Sequence, residues 1–211
     1  MNRPKVPILS LDRIADAALT LVEHTGDVQM VQLAKHLGVA PSSLYSHVTG
    51  RAEVIDLARL RMLESMEPQE PVTDWRIAVE RLLRQLAGHY AQHTKLLPLI
   101  FSTPVSHERA IAIYEPVFTA LLDDGFRPDL LRLVIALVEA QALGLALGLP
   151  TPVMSDEIRA TLPSYTKSID HSRYDRDSST DFAADVIIRG LEQLRNTQSD
   201  HRSTRIPSPS Q

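Results

Sequence analysis

The stretch that most restricts the fold is "LAKHLGVAPSSLYSHVTGR", residues 33 to 51. A leucine-rich helix is interrupted at Gly38, a residue that tolerates positive φ. A segment too short to be a stable helix alone then resumes at Pro41. Leu33, Leu37, Val39 and Leu44 form an apolar wedge between the two pieces, Ala34 is small enough to be crossed closely, and Val48 closes the end. The pattern is that of a helix–turn–helix, with Pro41, Ser42, Ser43, Tyr45, Ser46 and His47 left facing outward. Short polar side chains at a helix start can reach base edges and phosphates in a major groove. Simpler readings stand beside this one. Helical hairpins often carry such a pattern, Tyr45 can be a core aromatic, and His47 can be a helix-end residue favoured by the dipole.

Nearly every other periodic stretch has helical spacing. Ser10 is positioned to cap a helix bearing Leu11, Ile14, Ala18, Leu21 and Val22, with Gly26 ending it. Further helices are expected from Met30 to Leu37, Pro41 to Val48 and Arg51 to Met66. After the connector "EPQEPVTD", Asp74 caps a helix from Trp75 to His93, followed by Leu96 to Phe101, Glu108 to Asp124 and Pro128 to Leu149. Residues 150 to 178 read as loop with one helical turn near Asp156, because Pro, Ser, Thr and Asp dominate there. A last helix is expected from Asp181 to Arg195. No strand or repeat is evident, so the fold class is all-α. The expected domains are a helix–turn–helix head over 1–66, a connector over 67–73, a helical regulatory and dimerisation body over 74–196, and a disordered tail over 197–211.

Composition removes several classes of function. Hydrophobic residues make up 44% of the chain, enough for a core, and there is no cysteine for disulfides or thiolate chemistry. Formal net charge is −4, and residues 1–66 hold seven basic and seven acidic side chains. No broad basic field exists, so nucleic-acid binding must come from locally placed groups or from two copies together. "LLRLVIALVEAQALGLALGL", residues 130 to 149, has the length of a membrane span but contains Arg132, Glu139 and Gln141. It is read as a bundle centre or oligomer interface, with no membrane partner. No secretory leader opens the sequence, and a cytoplasmic location is expected. There is no P-loop, nucleophile elbow or dinucleotide fingerprint, so no enzyme activity and no cofactor are expected. His89 and His93 lie four apart, a spacing able to hold a metal, but no third ligand is evident and no metal is expected.

"LAKHLGVAPSSLYSHVTGRAEVI", with the preceding "LDRIADAALTLVEHTG", resembles the DNA-binding region of tetracycline-repressor-type (TetR family) transcriptional regulators. The resemblance implies that Tyr45 and His47 touch the DNA backbone. It puts Arg51 where a lysine more usually grips a phosphate, and Pro41, Ser42, Ser43 and Ser46, with Ala40 beside them, at base readout. Thr49-Gly50 and Val48 depart from the common pattern, which more often has a polar-charged pair and Phe there. The remainder is similar only as a helical sensor body, with "LLDDGF" before a long apolar helix.

The function so implied is that of a homodimeric repressor that binds palindromic double-stranded operator DNA and is released by a small-molecule effector. The expected ligand-lining residues are His89, Tyr90, His93, Tyr114 and Phe118, joined by Phe101 and Glu139 if the body packs as in that family; all of these could equally fill a solid core. Ala136, Ala140, Gly144 and Gly148 form a small-residue row and Ile187, Ile188, Leu191 and Leu194 an apolar stripe, the expected dimer interface. Two alternatives remain at this point: a DNA-binding activator or constitutive factor without a ligand, and an enzyme using the helical body.

Overall fold

Local capping decides where the first helices begin and end. The computed structural model describes residues 9–66, 72–150, 152–172 and 175–203. In α1 (Leu11–Thr25), the Ser10 side chain accepts a hydrogen bond from the Arg13 N–H, and Gly26 closes the other end in the left-handed conformation at φ 78°. α2 (Met30–Leu37) ends the same way at Gly38, φ 70°. α3 (Pro41–Leu44) starts with proline in its first turn, where a missing N–H costs nothing. Regular helix was expected to continue to Val48; instead residues 45–47 form a turn, and the His47 and Val48 N–H groups both donate to the Leu44 carbonyl. α4 (Arg51–Leu63) follows. Ile14, Ala18 and Val22 of α1 meet Leu33 and Ala34 of α2, Leu44, Val48, and Val54, Ile55 and Ala58 of α4, all buried.

The remaining helices form a second layer of packing around α5 (Trp75–Gln92), whose side chains from Trp75 to Tyr90 are buried at three- and four-residue intervals. α6 (Leu97–Phe101), α7 (Glu108–Ala112), α8 (Glu115–Asp123) and α9 (Pro128–Leu147) follow in order. α9 packs along α5, burying Leu131, Val134, Ile135, Val138, Ala142, Leu145 and Ala146. It is long and apolar enough to cross a membrane by length and composition alone. Here one side lies against α5, while Leu133 and Leu137 on the other are exposed. Trp75 is buried, with the Phe126 ring edge-on at 5.1 Å and the Arg76 guanidinium 4.7 Å from its centre. α4 touches both α6 and α7, which joins the first four helices to the rest.

Three further expectations are corrected. The single helix from Glu108 to Asp124 is two, α7 and α8, because Pro116 has no N–H to donate to the Ala112 carbonyl and its ring crowds the preceding turn. Residues 150–178 are not mainly loop. α10 (Asp156–Thr161) is capped by Ser155, whose oxygen accepts from the Ile158 N–H, and α11 (Pro163–His171) begins at its proline. Neither helix has a fully buried residue, so they contribute little to the core. Finally, α12 (Arg176–Ser203) extends past Asp181 and Arg195 at both ends. Asp175 accepts from the Ser178 N–H at 2.9 Å and starts it early. The part of the supposed tail up to Ser203 is therefore helical, and residues 204–211 lie outside the described residues, as do 67–71 of the connector.

Candidate functional site

Two surfaces carry the chemistry, and α4 touches both. The first is the outer side of α2, α3 and the turn after it. Ala40, Pro41, Ser42, Tyr45, Ser46 and His47 are exposed and Ser43 is half-buried. Tyr45 is 56% exposed, which removes the reading of a plain core aromatic. The Ser46 hydroxyl donates to the Ser43 carbonyl at 2.7 Å, holding the turn in shape. Arg51 is not an isolated cation. Its Nη2 lies 2.5 Å from the Asp27 carboxylate and its Nε donates to the Val28 carbonyl at 3.0 Å, tying the start of α4 to the loop before α2. That contact also holds the Asp27 carboxyl below its ordinary value, against a smaller opposing effect of burial. Thr49 N–H donates to the Glu53 carboxylate at 2.6 Å, an interaction that fixes the entry into α4.

The second surface is a cavity of about 280 Å³ between α4, α5, the α6–α7 segment and α9. Arg59, Met62 and Leu63 of α4 form one wall, Ile100, Phe101, Thr103, Pro104 and Val105 another, and Tyr90, Tyr114 and Glu139 a third. Both phenols donate to Glu139: Tyr90 to Oε2 at 2.5 Å, and Tyr114 to Oε1. The Phe101 ring stands edge-on to Tyr90 at 5.7 Å. Four of the expected lining residues, Tyr90, Phe101, Tyr114 and Glu139, are thus brought together. Three are not. His89 donates from Nδ1 to the Gln85 carbonyl at 2.8 Å, and His93 donates from Nδ1 to the Glu23 carboxylate of α1 at 2.9 Å. Phe118 packs beside Tyr114, ring centres 6.5 Å apart, without lining the cavity. Among the described residues no three His, Cys, Asp or Glu side chains group as metal ligands.

An Asp56–Arg59 pair within α4 escaped the sequence reading. Asp56 is 1% and Arg59 6% exposed, and they bond directly. Arg59 also donates to the carbonyls of Ile100 (2.6 Å), Thr103 (2.7 Å) and Pro104 (3.2 Å). The other Asp56 oxygen accepts from Ser106 N–H (2.7 Å), Ser106 Oγ (2.5 Å) and His107 N–H (3.1 Å). Burial alone would raise the Asp56 carboxyl, but the Ser106 hydrogen bonds, the Arg59 charge and the His107 N–H outweigh it and hold it below the ordinary value. One turn of α4 therefore grips the whole α6–α7 loop. An acid and a base three apart inside "VIDLARL" was the available signal.

Glu139 behaves in the opposite way. Burial raises its carboxyl above the ordinary 4.5, although the Tyr114 and Tyr90 hydrogen bonds and the Arg59 charge act against the shift. Burial and the neighbouring Glu139 charge likewise keep both phenols protonated far above their ordinary range. A raised carboxyl value means that the stability this group contributes is complete below 4.5 and is lost as pH rises through the folded-state value. Glu139→Gln stays neutral throughout. It is expected to gain stability relative to wild type as pH is raised from about 4 to about 7, measured by urea midpoints. A wild-type-to-variant difference that does not change with pH would remove this assignment.

Of the expected interface residues, the α9 row lies outward but Ile187 and Leu191 of α12 do not. Ala136, Ala140 and Gly144 are exposed on α9 and Gly148 is half-buried at its end. On α12, Ile187 and Leu191 are buried inward and Ile188 half-buried. Leu194 is exposed, together with Phe182 (72%) and Val186. A hollow of about 470 Å³ opens between Gly144, Leu145 and Phe182, and one of about 300 Å³ between Leu137, Val186 and Leu194. Both lie on this outer apolar side of α9 and α12.

No family model matches the chain. The chain is 30% identical over 149 residues to the HTH-type transcriptional repressor DrrR1 of Streptomyces coeruleorubidus, covering 69% of this chain and 55% of that protein. It spans about half the length of the curated relatives it matches. Among solved structures, apo ActR from Streptomyces coelicolor matches with a TM-score of 0.73 and 22% identity, over 92% of this chain and 99% of that one. The same organism's TetR family protein ActR in complex with actinorhodin matches at 0.70 and 22% identity, over 89% of this chain and 98% of that one.

Proposed function

The chain has the all-α fold of the TetR-family regulators, and from that premise we propose that it is a homodimeric transcriptional repressor released from a palindromic operator by a small molecule. One observation carries the reading. α4 is a single 13-residue helix, about 20 Å long, that begins beside the exposed segment 40–47 and lines the cavity with Arg59, Met62 and Leu63 at its other end. An occupant that displaces those three side chains moves the helix start, and with it the outward face of α3.

Two such faces must lie about 34–36 Å apart to enter successive major grooves of a duplex. The effector has only to prefer the arrangement with the wrong spacing, since the shift is limited by its differential affinity for the two states. The curated relative is a transcriptional repressor, and ActR has been solved with actinorhodin bound. Both support a ligand-released repressor here. On this reading, residues 1–66 are the DNA-binding head and 74–196 the regulatory and dimerisation body. Ala40, Pro41, Ser42, Ser43, Tyr45, Ser46, His47 and Arg51 are the DNA-contacting set.

Selection from random duplexes is expected to enrich a sequence with two inverted half-sites, with affinity falling as salt rises because phosphate contacts release counterions. Ser42→Ala should change base preference at one position of each half-site, worth about 1–3 kcal/mol there. Tyr45→Phe removes only a hydroxyl that faces solvent, so it should weaken all sequences alike. If selection enriches no sequence, the repressor reading fails.

A further inference from the structure

The cavity's charge inventory says what kind of molecule it suits. Only two lining residues are charged, Arg59 and Glu139. Arg59 is already paired with Asp56, and its Nη groups also donate to three loop carbonyls. Glu139 is partnered by two neutral phenols, and among the described residues no cation forms an ion pair with it. An ionised carboxylate offers about four lone-pair positions, of which the phenols use two. With Glu139 ionised, the cavity carries one unbalanced negative charge, with Met62, Leu63, Ile100, Phe101, Pro104 and Val105 as its apolar surroundings.

We infer that the cavity takes a compact apolar amine, its ammonium group placed against Glu139 and its hydrocarbon part between α4 and the α6–α7 loop. This deepens the effector reading above and rests on it. An ammonium supplies both the missing charge and the missing donors, at a half-buried carboxylate where an unpaired charge is costly. Tyr90 and Tyr114 touch the carboxylate and Phe101 lines the same cavity beside Tyr90, and aromatic rings favour a cation. A neutral molecule of the same shape leaves the charge unbalanced, and a carboxylate is repelled by it. Size sets the other limit. At roughly 30 Å³ for each water-sized group, about nine such groups fit, which is a single ring with a short chain.

Phenethylamine, 2-phenylethanol and phenylacetate share one ring and a two-carbon chain and differ only in the polar end. Calorimetric titration of the full chain without DNA is expected to rank the amine at least about tenfold tighter than the alcohol, with the acid weakest. In Glu139→Gln the amine should fall to the affinity of the alcohol, while Tyr114→Phe, which keeps the charge, should retain the preference. The inference is overturned if the alcohol or the acid binds as tightly as the amine, if none of the three binds, or if Glu139→Gln keeps the preference. Should Glu139→Gln fail to fold, the wild-type ranking and Tyr114→Phe decide alone. A separate operator titration keeps the two readings apart. An amine that binds but leaves the protein–operator complex intact preserves this site and removes the effector role. Release by the alcohol in preference to the amine does the reverse.

Discussion

Asp56→Ala should destabilise the protein by about 3–5 kcal/mol, the effect of removing one partner from a buried ion pair. The size follows from what is stranded. Arg59, 6% exposed, keeps its three carbonyl partners but loses its counter-charge, and the Ser106 and His107 N–H groups lose their acceptor. A surface pair such as Arg189–Asp185, whose charged groups already meet water, would cost almost nothing by comparison. Asp56→Leu combined with Arg59→Met removes both charges and should recover part of the loss. Full recovery is not expected, because the loop carbonyls and N–H groups remain without partners. The pH dependence has a definite sign. The Asp56 carboxyl is held below its ordinary 3.8, so its contribution is present above that value and is lost as pH falls through the folded-state value. The gap between wild type and Asp56→Ala should therefore be constant near neutrality and close in strong acid. A urea-midpoint difference under about 1 kcal/mol at pH 7 would show that the α6–α7 loop is held by something else.

That pair was also the least legible part of the sequence, and the reason is physical. α4 is buried on most sides, so Asp56 and Arg59 sit among Val54, Ile55, Leu57 and Ala58 without marking a solvent face. Nothing local says that their partners lie more than forty residues ahead. The head was legible because its determinants are local: Ser10 caps, Gly26 and Gly38 adopt positive φ, and Pro41 opens a turn. The cavity was half legible. Tyr90 falls in the buried register of α5 with Leu83, Leu86 and Ala87, whereas His89 is one residue out of that register. His93 lies past the helix end at φ −127°, which turns it toward Glu23 instead of the cavity. α10 was expected only as one turn near Asp156 and α11 not at all, because Pro, Ser, Thr and Asp are frequent across 150–178 and no core burial accompanies these helices. Yet Ile158, Leu162, Tyr165 and Ile169 do recur at three- and four-residue spacing.

In the homodimer proposed above, Gly144→Arg should separate the two copies and lower affinity for a two-half-site operator by at least about 100-fold, the lower range of what linking two binding modules contributes. Within one protomer the substitution is harmless. Gly144 is exposed, and a Cβ added there meets no atom within 4 Å. Glycine costs roughly 0.8–1.0 kcal/mol relative to alanine inside a helix, and arginine is among the better helix formers, so α9 itself should gain. Loss of binding therefore cannot be assigned to unfolding, which circular dichroism would check. Around Gly144 the outer side of α9 and α12 exposes Leu133 at 64%, Leu137 at 48%, Phe182 at 72% and Leu194 at 52%. A contiguous apolar surface of that kind on a small protein usually marks an interface. A second copy brings the same small-residue row of Ala136, Ala140 and Gly144 opposite itself, letting two α9 helices approach closely, as in a four-helix bundle. A guanidinium on each copy fills that space and sets two positive charges against each other. The monomer would keep its outward α3 face and so retain weak, salt-sensitive binding to one half-site. Sedimentation showing a stable Gly144→Arg dimer with wild-type operator affinity would mean that the two copies meet through another surface.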